Sequence, residues 1–433
     1  MKIVFISFHG PFFIGGCERV SSKDKQIVII GNGGAGLSAI RAIRSVDQTS
    51  SITLLSSEDC FAYSPIATTY YIAGKITRDQ LFLTDESFYR KHNVQILLKK
   101  KVLEIDPGRA FVVIEGNRER IPYEELLVAT GATPILPTGS QNRRTFSLRT
   151  LDDAERILTS FSFSSNAVIL GGGLVALQLA QTLRNRGIEV TVVVASDHIL
   201  SRNVDEETSS LVRREMENQG ISCHFGAEAL SVEKSRGKIQ VELSTGTILS
   251  ASFILSGKGV KPNLLQGPLS TNEDMAVDDH MRTHLENIYA AGDVSLVTHL
   301  ISGQRERLAN WPNACYQGWI AGLNMAGVDA RLEGLLNQNV THLFGLRLAS
   351  LGIFKPPFEE GTEVLRWSDE GQKVYRKLFL RKGRIIGAVL VNGIEDIGLI
   401  RNLIVRRIDV SKEKLKTANL LSSPSFHRVV RRW

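Results

Sequence analysis

Short apolar runs alternate with glycine-rich turns along most of this chain. Residues 26–30 read Gln-Ile-Val-Ile-Ile, and the glycine-rich segment 31–36 follows at once. Apolar residues then recur at helical spacing over 37–43, and a second apolar run covers 51–55. This order predicts a buried strand, a tight turn, a helix and a second parallel strand, which is the unit that binds dinucleotides.

The same pattern recurs in the middle of the chain. An apolar run at 167–170 leads into a second glycine-rich turn at 171–176, a helix pattern continues to Arg186, and a strand pattern covers 189–194. In such a unit the first glycine permits the turn, the second lets backbone approach a pyrophosphate, and the third position must be small. Ala176 meets that last requirement. Two copies in this context predict two dinucleotide sites.

The remaining patterns complete the two dinucleotide-binding domains and predict a third, smaller domain near the end of the chain. Strand patterns occupy 94–98, 102–105, 110–114, 126–131, 239–243 and 253–256, and helix patterns occupy 152–158, capped by Thr150, and 312–327. Near the end, strands at 375–380 and 385–391 precede a helix at 395–405. We therefore predict an α/β fold with two Rossmann-like domains and a small C-terminal α+β domain. The predicted ranges are 1–25 for an extension, 26–146 with 261–330 for the first domain, 147–260 for the second, and 335–433 for the third.

Composition excludes several classes of protein. The 433 residues are 43% hydrophobic, so the chain is neither disordered nor fibrous. Its four cysteines are scattered, and no cysteine–histidine spacing typical of a metal site occurs, so we expect no metal. The sequence contains no run of about 18 apolar residues that would predict a membrane span.

The first residues give a mixed signal. The apolar run 3–8 and the segment 14–17 (Ile-Gly-Gly-Cys) loosely resemble an export signal, but His9 and Pro11 interrupt the pattern. We expect a cytoplasmic protein whose first 25 residues are an extension or follow a start codon assigned too early.

These motifs resemble those of the FAD-dependent pyridine nucleotide–disulfide oxidoreductase superfamily, whose fold is glutathione reductase-like. The resemblance rests on both glycine turns, on 129–134 (Ala-Thr-Gly-Ala-Thr-Pro), on 259–263 (Gly-Val-Lys-Pro-Asn) and on 289–293 (Tyr-Ala-Ala-Gly-Asp). Segments 311–318 and 324–327 are most similar to the branch of rubredoxin reductases, ferredoxin reductases and nitrite reductase flavin domains. That branch includes FAD subunits of multi-subunit enzymes such as phenylglyoxylate dehydrogenase.

The resemblance implies which residues bind the cofactors. For FAD they are Gly31, Gly33, Gly34, Ala35, Gly36, Ser56, Glu58, Val102, Ala129, Thr130, Gly131, Gly292, Asp293 and Asn313. For the nicotinamide cofactor they are Gly171, Gly173, Leu174, Val175, Ala176, Val194 and Asp197. Asp293 would accept a hydrogen bond from a ribityl hydroxyl, and the helix near Asn313 would direct its positive end at the flavin.

Two departures from the family pattern concern the chemistry beside the flavin. Pro65 stands where thiol-dependent relatives carry a redox cysteine, and Cys60 comes five residues earlier, so disulfide chemistry is excluded. Gln178 replaces a glutamate that pairs with lysine in many relatives, although hydride transfer needs no proton relay there. Alternatively, Gln178 is an exposed helix residue. Pro65 and Gln178 are the candidates for the nicotinamide–flavin pocket.

The identity of the nicotinamide cofactor is less well specified. Val194 occupies the position where NAD-specific relatives place glutamate, and Asp197 follows three residues later. Arg202 could instead contact a 2′-phosphate. We favour NAD(H) on the habit of the family.

The resemblance implies an NAD(P)H oxidoreductase that passes electrons to a one-electron protein acceptor, such as a rubredoxin, a ferredoxin or an iron–sulfur subunit of a larger complex. Two alternatives stay open: an NADH oxidase or small-molecule reductase that uses flavin alone, and an FAD-binding partner subunit without catalysis. A homo-oligomer is compatible with the sequence. Nucleic-acid binding is not expected, because no basic stripe interleaved with aromatics occurs.

The net charge of +7 is a local feature. From Arg401 onward the chain has nine basic and two acidic residues, so the rest of the chain is neutral overall. This segment is either a solvated tail or a docking surface for an acidic carrier.

Overall fold

The computed structural model describes residues 24–139, 144–161, 165–235, 237–271, 273–355 and 360–410. Nearly all of the predicted N-terminal extension, with its loose export signal, lies outside the described residues, as does the basic segment beyond residue 410.

The described helices and strands alternate along most of the chain. The helices are α1 Gly34–Val46, α2 Thr68–Ile72, α3 Glu86–Lys91, α4 Leu151–Ser160, α5 Leu174–Asn185, α6 Glu206–Asn218, α7 Trp311–Met325 and α8 Ile397–Val405. The strands of the first half are β1 Gln26–Ile30, β2 Ser51–Leu55, β3 Val94–Leu97, β4 Val102–Asp106, β5 Phe111–Ile114, β6 Arg120–Pro122, β7 Glu125–Val128, β8 Ala132–Pro134, β9 Thr145–Ser147, β10 Asn166–Leu170, β11 Glu189–Val194 and β12 Ser222–Phe225. Those of the second half are β13 Ala229–Ser235, β14 Lys238–Leu243, β15 Ile248–Ala251, β16 Phe253–Ser256, β17 Val260–Pro262, β18 Ile288–Ala290, β19 Val297–Thr298, β20 Arg305–Glu306, β21 Gln338–Leu343, β22 Leu346–Gly352, β23 Thr362–Asp369, β24 Val374–Arg381 and β25 Arg384–Val391.

The chain forms two compact units. Among the described residues, the first contains 24–63 together with Leu83–Ala132 and Pro262–Leu335, and the second contains Ser64–Phe82, Thr133–Lys261 and 336–410. Segment 64–82 therefore groups with the second unit, although it lies within the predicted FAD domain. The predicted domain boundaries stay a prediction.

The first unit is built on a parallel sheet in the order β18-β7-β1-β2-β3. The last four residues of β1 are buried, as is typical of a parallel strand covered on both faces. Helices α1 and α7 pack against each other, and β4, β5 and β6 form an antiparallel sheet. The carboxyl end of β1 leads directly into the first glycine turn.

The second unit repeats this plan and adds a further sheet. Its parallel sheet has the order β12-β11-β10-β16-β9, and β13, β14 and β15 form an antiparallel sheet. Strands β21 to β25 form an antiparallel sheet in the order β21-β22-β25-β24-β23, against which α8 packs. The predicted helix capped by Thr150 is α4, and Thr150 and Asp153 form its capping box.

Within the described ranges, no helix combines the length and the apolar character needed to cross a membrane.

Candidate functional site: two glycine turns

The first glycine turn joins β1 to α1 by a backbone path that side chains would block. Gly31 has a φ of +118°, and a Cβ atom there would lie 2.1 Å from the carbonyl oxygen of Ala129. A Cβ at Gly36 would lie 2.1 Å from the carbonyl oxygen of Gly31. Both glycines are therefore required by the fold of the turn itself.

Gly33 differs, because its surroundings are open. It is the N-cap residue of α1, and in the described part of the chain no side chain caps the helix there and no atom lies within 4 Å of a Cβ placed at Gly33. The first turn of α1, which includes Gly34, Ala35 and Gly36, has no acidic residue. Backbone N–H groups at such a helix start lack intrahelical partners and favour a negative charge. The turn therefore has the shape and polarity of a phosphate site.

Asn32 supplies a further observation about this turn. Its Oδ1 accepts a hydrogen bond of 2.8 Å from the hydroxyl of Tyr89, which is 1% exposed. Its Nδ2 is buried and has no hydrogen-bond partner among the described residues. A buried donor without an acceptor is costly. A pyrophosphate oxygen at this turn would satisfy it, so the residues present fit FAD.

Three of the predicted adenosine contacts lie after β2 or at the start of β4. Ser56 is buried after β2, and Val102 is buried at the start of β4. Glu58 accepts a 2.8 Å hydrogen bond from the hydroxyl of Tyr63. The hydroxyl of Tyr63 therefore helps to fix the carboxylate that we predict to bind ribose.

The segment Ala129-Thr130-Gly131 is held by Asn263. The hydroxyl of Thr130 donates to the carbonyl of Asn263 at 2.7 Å, and the side-chain amide of Asn263 donates to the carbonyl of Thr130 at 2.9 Å. The backbone N–H of Asn263 also donates to the carbonyl of Gly131 at 3.0 Å. No sequence pattern assigns Asn263 a role of its own, although it lies in a motif that carries the family resemblance.

Gln317 stabilises the turn that contains Asp293 through hydrogen bonds. This side chain is 1% exposed, and its Oε1 accepts hydrogen bonds from the N–H of Gly292 at 2.8 Å and from the hydroxyl of Ser295 at 2.6 Å. Gln317 lies on α7, so these hydrogen bonds join the turn that contains Asp293 to that helix. The sequence predicts a role for Asp293 but none for Gln317, because no local pattern links positions this far apart.

Two further groups lie near this turn. Burial lowers the pKa of Arg307, and the charge of Asp293 acts in the opposite direction. Asn313 is fully buried, and its side-chain amide donates to the carbonyl of Leu308 at 3.2 Å. Its backbone N–H donates to Asn310, which caps α7. Asn313 thus supports the start of α7.

The second glycine turn joins β10 to α5 in the same way. Gly171 has a φ of +120°, and a Cβ there would lie 2.3 Å from the carbonyl oxygen of Gly257. Like Gly33, Gly173 is an open N-cap: no atom of the described residues lies within 4 Å of a Cβ placed there. Ala176 is buried, and a Cβ at Gly257 would lie 2.8 Å from its methyl group. Gly257, which no sequence motif identified, therefore makes room for alanine at the third position.

The other residues predicted to bind the nicotinamide cofactor differ in exposure. Val194 is 2% exposed, and a Cβ at Gly172 would lie 2.9 Å from one of its methyl groups. Asp197 is exposed. In the first turn of α5, Val175 is 44% exposed and Leu174 is half-buried.

The two pocket candidates both lie in the second unit. Pro65 begins a short 3₁₀ helix that leads into α2, and α2 packs against α5, the helix that carries Gln178. Gln178 is half-buried, and its Nε2 donates to the hydroxyl of Thr341 on β21 at 3.1 Å. The interpretation of Gln178 as an exposed helix residue is therefore wrong.

In the described part of the chain, the other groups that could take part in redox chemistry or bind a metal are the cysteines and one acidic cluster. Cys60, Cys223 and Cys315 form no disulfide with one another. Asp278, Asp279 and His280 lie close enough to hold a cation. However, Asp279 Oδ1 lies 2.8 Å from Nδ1 of His280 and Asp329 Oδ1 lies 2.7 Å from its Nε2, so both ring nitrogens are engaged.

Known protein families match most of the chain. Residues 25–318 match the model described as pyridine nucleotide-disulphide oxidoreductase, and residues 339–408 match the rubredoxin NAD+ reductase C-terminal domain.

Individual proteins agree with this result. Subunit epsilon of NADH-dependent phenylglyoxylate dehydrogenase from Aromatoleum evansii is 31% identical over 395 residues, which cover 89% of this chain and 93% of the relative. Rubredoxin-NAD(+) reductase from Pseudomonas putida is 32% identical over 336 residues, which cover 76% and 87%. Among solved structures, the covalent putidaredoxin reductase–putidaredoxin complex matches with a TM-score of 0.82 and 22% identity, over 95% of this chain and 99% of that one.

The fold of that structure and the two family models confirm the predicted fold class, with two Rossmann-like domains and a C-terminal sheet domain. The predicted cofactors, FAD and NAD(P)H, are those of the family. The chain therefore belongs to the pyridine nucleotide-disulphide oxidoreductase family and is an FAD-dependent NAD(P)H oxidoreductase.

Proposed function

We propose that this protein passes electrons between NAD(P)H and a one-electron protein acceptor, as the reductase component of a larger system. The acceptor would be a rubredoxin, a ferredoxin or an iron–sulfur subunit. The observation that carries the proposal is the match of residues 339–408 to the rubredoxin NAD+ reductase C-terminal domain. In this chain that domain follows two glycine turns, each with an open N-cap.

The first unit would hold FAD through the residues of the first turn. The N–H groups at the start of α1 and the Nδ2 of Asn32 would bind its pyrophosphate, and Asp293 would accept from a ribityl hydroxyl. Ser56, Glu58, Val102 and the segment 129–131 would contact the adenosine half. Bound FAD supplies the conversion between two-electron hydride transfer and one-electron transfer.

The second unit would hold the nicotinamide cofactor at the start of α5. Gly171, Gly173 and the residues up to Ala176 would face its pyrophosphate, and the exposed Asp197 would bind ribose hydroxyls. We favour NAD(H) on the habit of the family. The proposed domain ranges are those predicted above, with 335–433 as an interface domain.

The absence of a cysteine at position 65 supports direct electron transfer from the flavin to the acceptor. Pro65 occupies the position of the redox cysteine of thiol-dependent relatives, and it begins a 3₁₀ helix. Burial raises the pKa of Cys315 and raises the pKa of Cys223 to about 12, so both thiols stay protonated and unreactive at neutral pH. Electrons would therefore leave the flavin without a thiol relay.

The partner would dock on the basic segment from Arg401 onward. Arg406 and Arg407 are exposed at the end of α8, whereas the part of this segment from Ser411 to Trp433 lies outside the described residues. Such a surface would raise the association rate of an acidic carrier, most strongly at low salt. A homo-oligomer is compatible with this arrangement.

The experiment compares acceptors in the FAD-loaded protein under anaerobic conditions. We expect rubredoxin or ferredoxin to be reduced by NAD(P)H, and we expect Arg406→Glu with Arg407→Glu to slow that reduction at low salt but not at high salt. Arg109→Glu, at an exposed position in the first unit, is the control for a charge change elsewhere. Turnover with oxygen alone, indifferent to any carrier, would favour an oxidase. A flavin that no nucleotide reduces would favour a non-catalytic subunit.

A further inference from the structure

The loop between β11 and α6 contacts the second glycine turn through a leucine in an unfavourable conformation. Leu200 is 1% exposed and has a φ of +52°, in the left-handed region that side chains disfavour. Its N–H donates to the carbonyl of Gly172 at 2.7 Å. Its own carbonyl accepts from the N–H groups of Asn203 at 2.7 Å and Val204 at 3.1 Å. A conformation of this kind persists only where its surroundings hold it.

The end of this loop is held by the C-terminal sheet. Asp205 is the N-cap of α6, where its Oδ1 accepts from the N–H of Thr208 at 3.2 Å. Its Oδ2 accepts from the Nζ of Lys377 at 2.9 Å and lies 3.0 Å from the hydroxyl of Tyr375, which shares its single hydrogen between Asp205 and Glu207. Tyr375 and Lys377 lie on β24. One carboxylate thus joins the loop, the helix and the C-terminal sheet.

The charges in this cluster are balanced and partly shielded from water. The Nζ of Lys377 also lies 3.1 Å from Glu207, which pairs with Arg366 at 3.1 Å. Burial alone would raise the pKa of Asp205, but hydrogen bonds from Thr208, Lys377 and Tyr375 hold that pKa below its ordinary value. Asp205 is therefore charged at neutral pH, and each of its two oxygens accepts a hydrogen bond.

A second bridge joins the C-terminal sheet to the helix of the glycine turn. Gln178 on α5 donates to Thr341 on β21 at 3.1 Å. A small cleft is lined by Leu174 and Leu200 on one side and by Thr341 and Ser350 on the other. The C-terminal sheet therefore touches both the loop and the helix that frame the proposed nucleotide site.

We propose that Tyr375 and Lys377 are positioning residues for the nicotinamide nucleotide. By holding the carboxylate of Asp205, they keep Leu200 against the carbonyl of Gly172 and so fix the shape of the glycine turn. The C-terminal domain then contributes to nucleotide affinity as well as to contact with a partner. This inference rests on the proposed nucleotide site and adds residues that do not touch the nucleotide.

The test uses the full-length FAD-loaded protein with Tyr375→Phe, Lys377→Met and the double variant. We expect KM for NAD(P)H, and the Kd of the oxidised nucleotide measured by calorimetry, to rise about 5-fold in the double variant. The kcat and the FAD content should stay at the wild-type level. Lys373→Met is the matched control, because Lys373 pairs with Glu215 at 2.8 Å and joins the sheet to the body of α6 rather than to the loop.

The possible outcomes distinguish this inference from the proposed function. If the double variant melts at a lower temperature but keeps the wild-type KM and Kd, the cluster is only structural and the inference is wrong. An equal loss of affinity in Lys373→Met would also contradict it. If wild-type protein neither binds nor oxidises either nucleotide, the proposed function fails and this inference fails with it. If the double variant does not fold, Tyr375→Phe takes its place in the same measurements, because this substitution removes only a hydroxyl group.

Discussion

At the scale of single residues, the glycines of each turn divide into two kinds. Gly31 and Gly171 are required by the backbone, whereas Gly33 and Gly173 face open space. All four could be predicted from the sequence, because glycine spacing after a strand is a local signal. The two kinds could not be told apart, since the carbonyl groups that crowd Gly31 and Gly171 come from residues 129 and 257, far along the chain.

We predict that Gly33→Asp yields a folded protein without FAD. Aspartate is a favoured N-cap residue, so its effect on the free energy of unfolding should stay within about 0.5 kcal/mol. A carboxylate beside a phosphate charge costs about 4 kcal/mol at a separation of about 4 Å with an effective dielectric constant of about 20. FAD absorbance after gel filtration and thermal unfolding measure the two effects.

Gly33→Asn is the uncharged control for that substitution. It should keep more FAD than Gly33→Asp, because it has nearly the same size and no charge. Equal FAD loss in both variants would show that bulk, not charge, is responsible, and the phosphate assignment would lose its support.

The packing of Ala176 against Gly257 gives a second prediction. Gly257→Ala should lower the free energy of unfolding by about 1–3 kcal/mol, since its Cβ would lie 2.8 Å from the methyl group of Ala176. In the double variant with Ala176→Gly this clash disappears, so the two changes should be less harmful together than their sum. Chemical denaturation of the four proteins measures this coupling, and strict additivity would contradict it.

At the scale of elements, the strand–turn–helix units could be predicted from the sequence. The helix, strand and side chains that pack around these units could not. Both units follow from apolar runs beside glycines. Helix α6 escaped prediction because its buried residues include Thr208 and Ser209, and its start depends on Asp205 as a cap. Strand β23 also escaped, because most of its side chains are at least partly exposed. Gln317 and Asn263 act across long sequence separations, which local patterns do not report.

Close contact between α1 and α7 leads to a prediction about helix packing. A Cβ at Gly318 would lie 2.0 Å from the carbonyl oxygen of Ala35, so Gly318→Ala should destabilise the protein by about 1–3 kcal/mol or more and reduce FAD content. Gly398→Ala on α8 is the matched control. Among the described residues, no atom lies within 4 Å of a Cβ placed at Gly398, so this variant should be up to about 1 kcal/mol more stable. Thermal unfolding and FAD absorbance check both variants, and loss of stability in both would point to a general intolerance of the substitution instead.

The hairpin β19–β20 contains a histidine that makes stability depend on pH. Burial lowers the pKa of His299, so the unfolded chain binds a proton there at a higher pH than the folded protein does. Stability from this group is present above the ordinary histidine pKa of about 6.5 and is lost as pH falls below it, by at most about 1.4 kcal/mol per pH unit. Urea unfolding at neutral and at mildly acidic pH should show a smaller decline for His299→Asn than for wild type. Parallel declines would contradict this assignment.

At the scale of the whole molecule, two dinucleotide units and a rubredoxin reductase-type C-terminal domain define an electron-transfer flavoprotein. The family could be predicted because its motifs are short, local and repeated. The acceptor could not, since recognition of a carrier depends on a surface assembled from distant residues. The basic segment from Arg401 onward accounts for the whole net charge and is our candidate for that surface.

The most direct test of this account is an anaerobic titration of the purified flavoprotein with NADH and, separately, with NADPH. We predict that at least one of them reduces the flavin in a one-to-one ratio, and that added rubredoxin or ferredoxin reoxidises it with two carrier molecules consumed per nucleotide. A flavin that neither nucleotide reduces, or a reduced flavin that transfers no electrons to any carrier, would contradict the account.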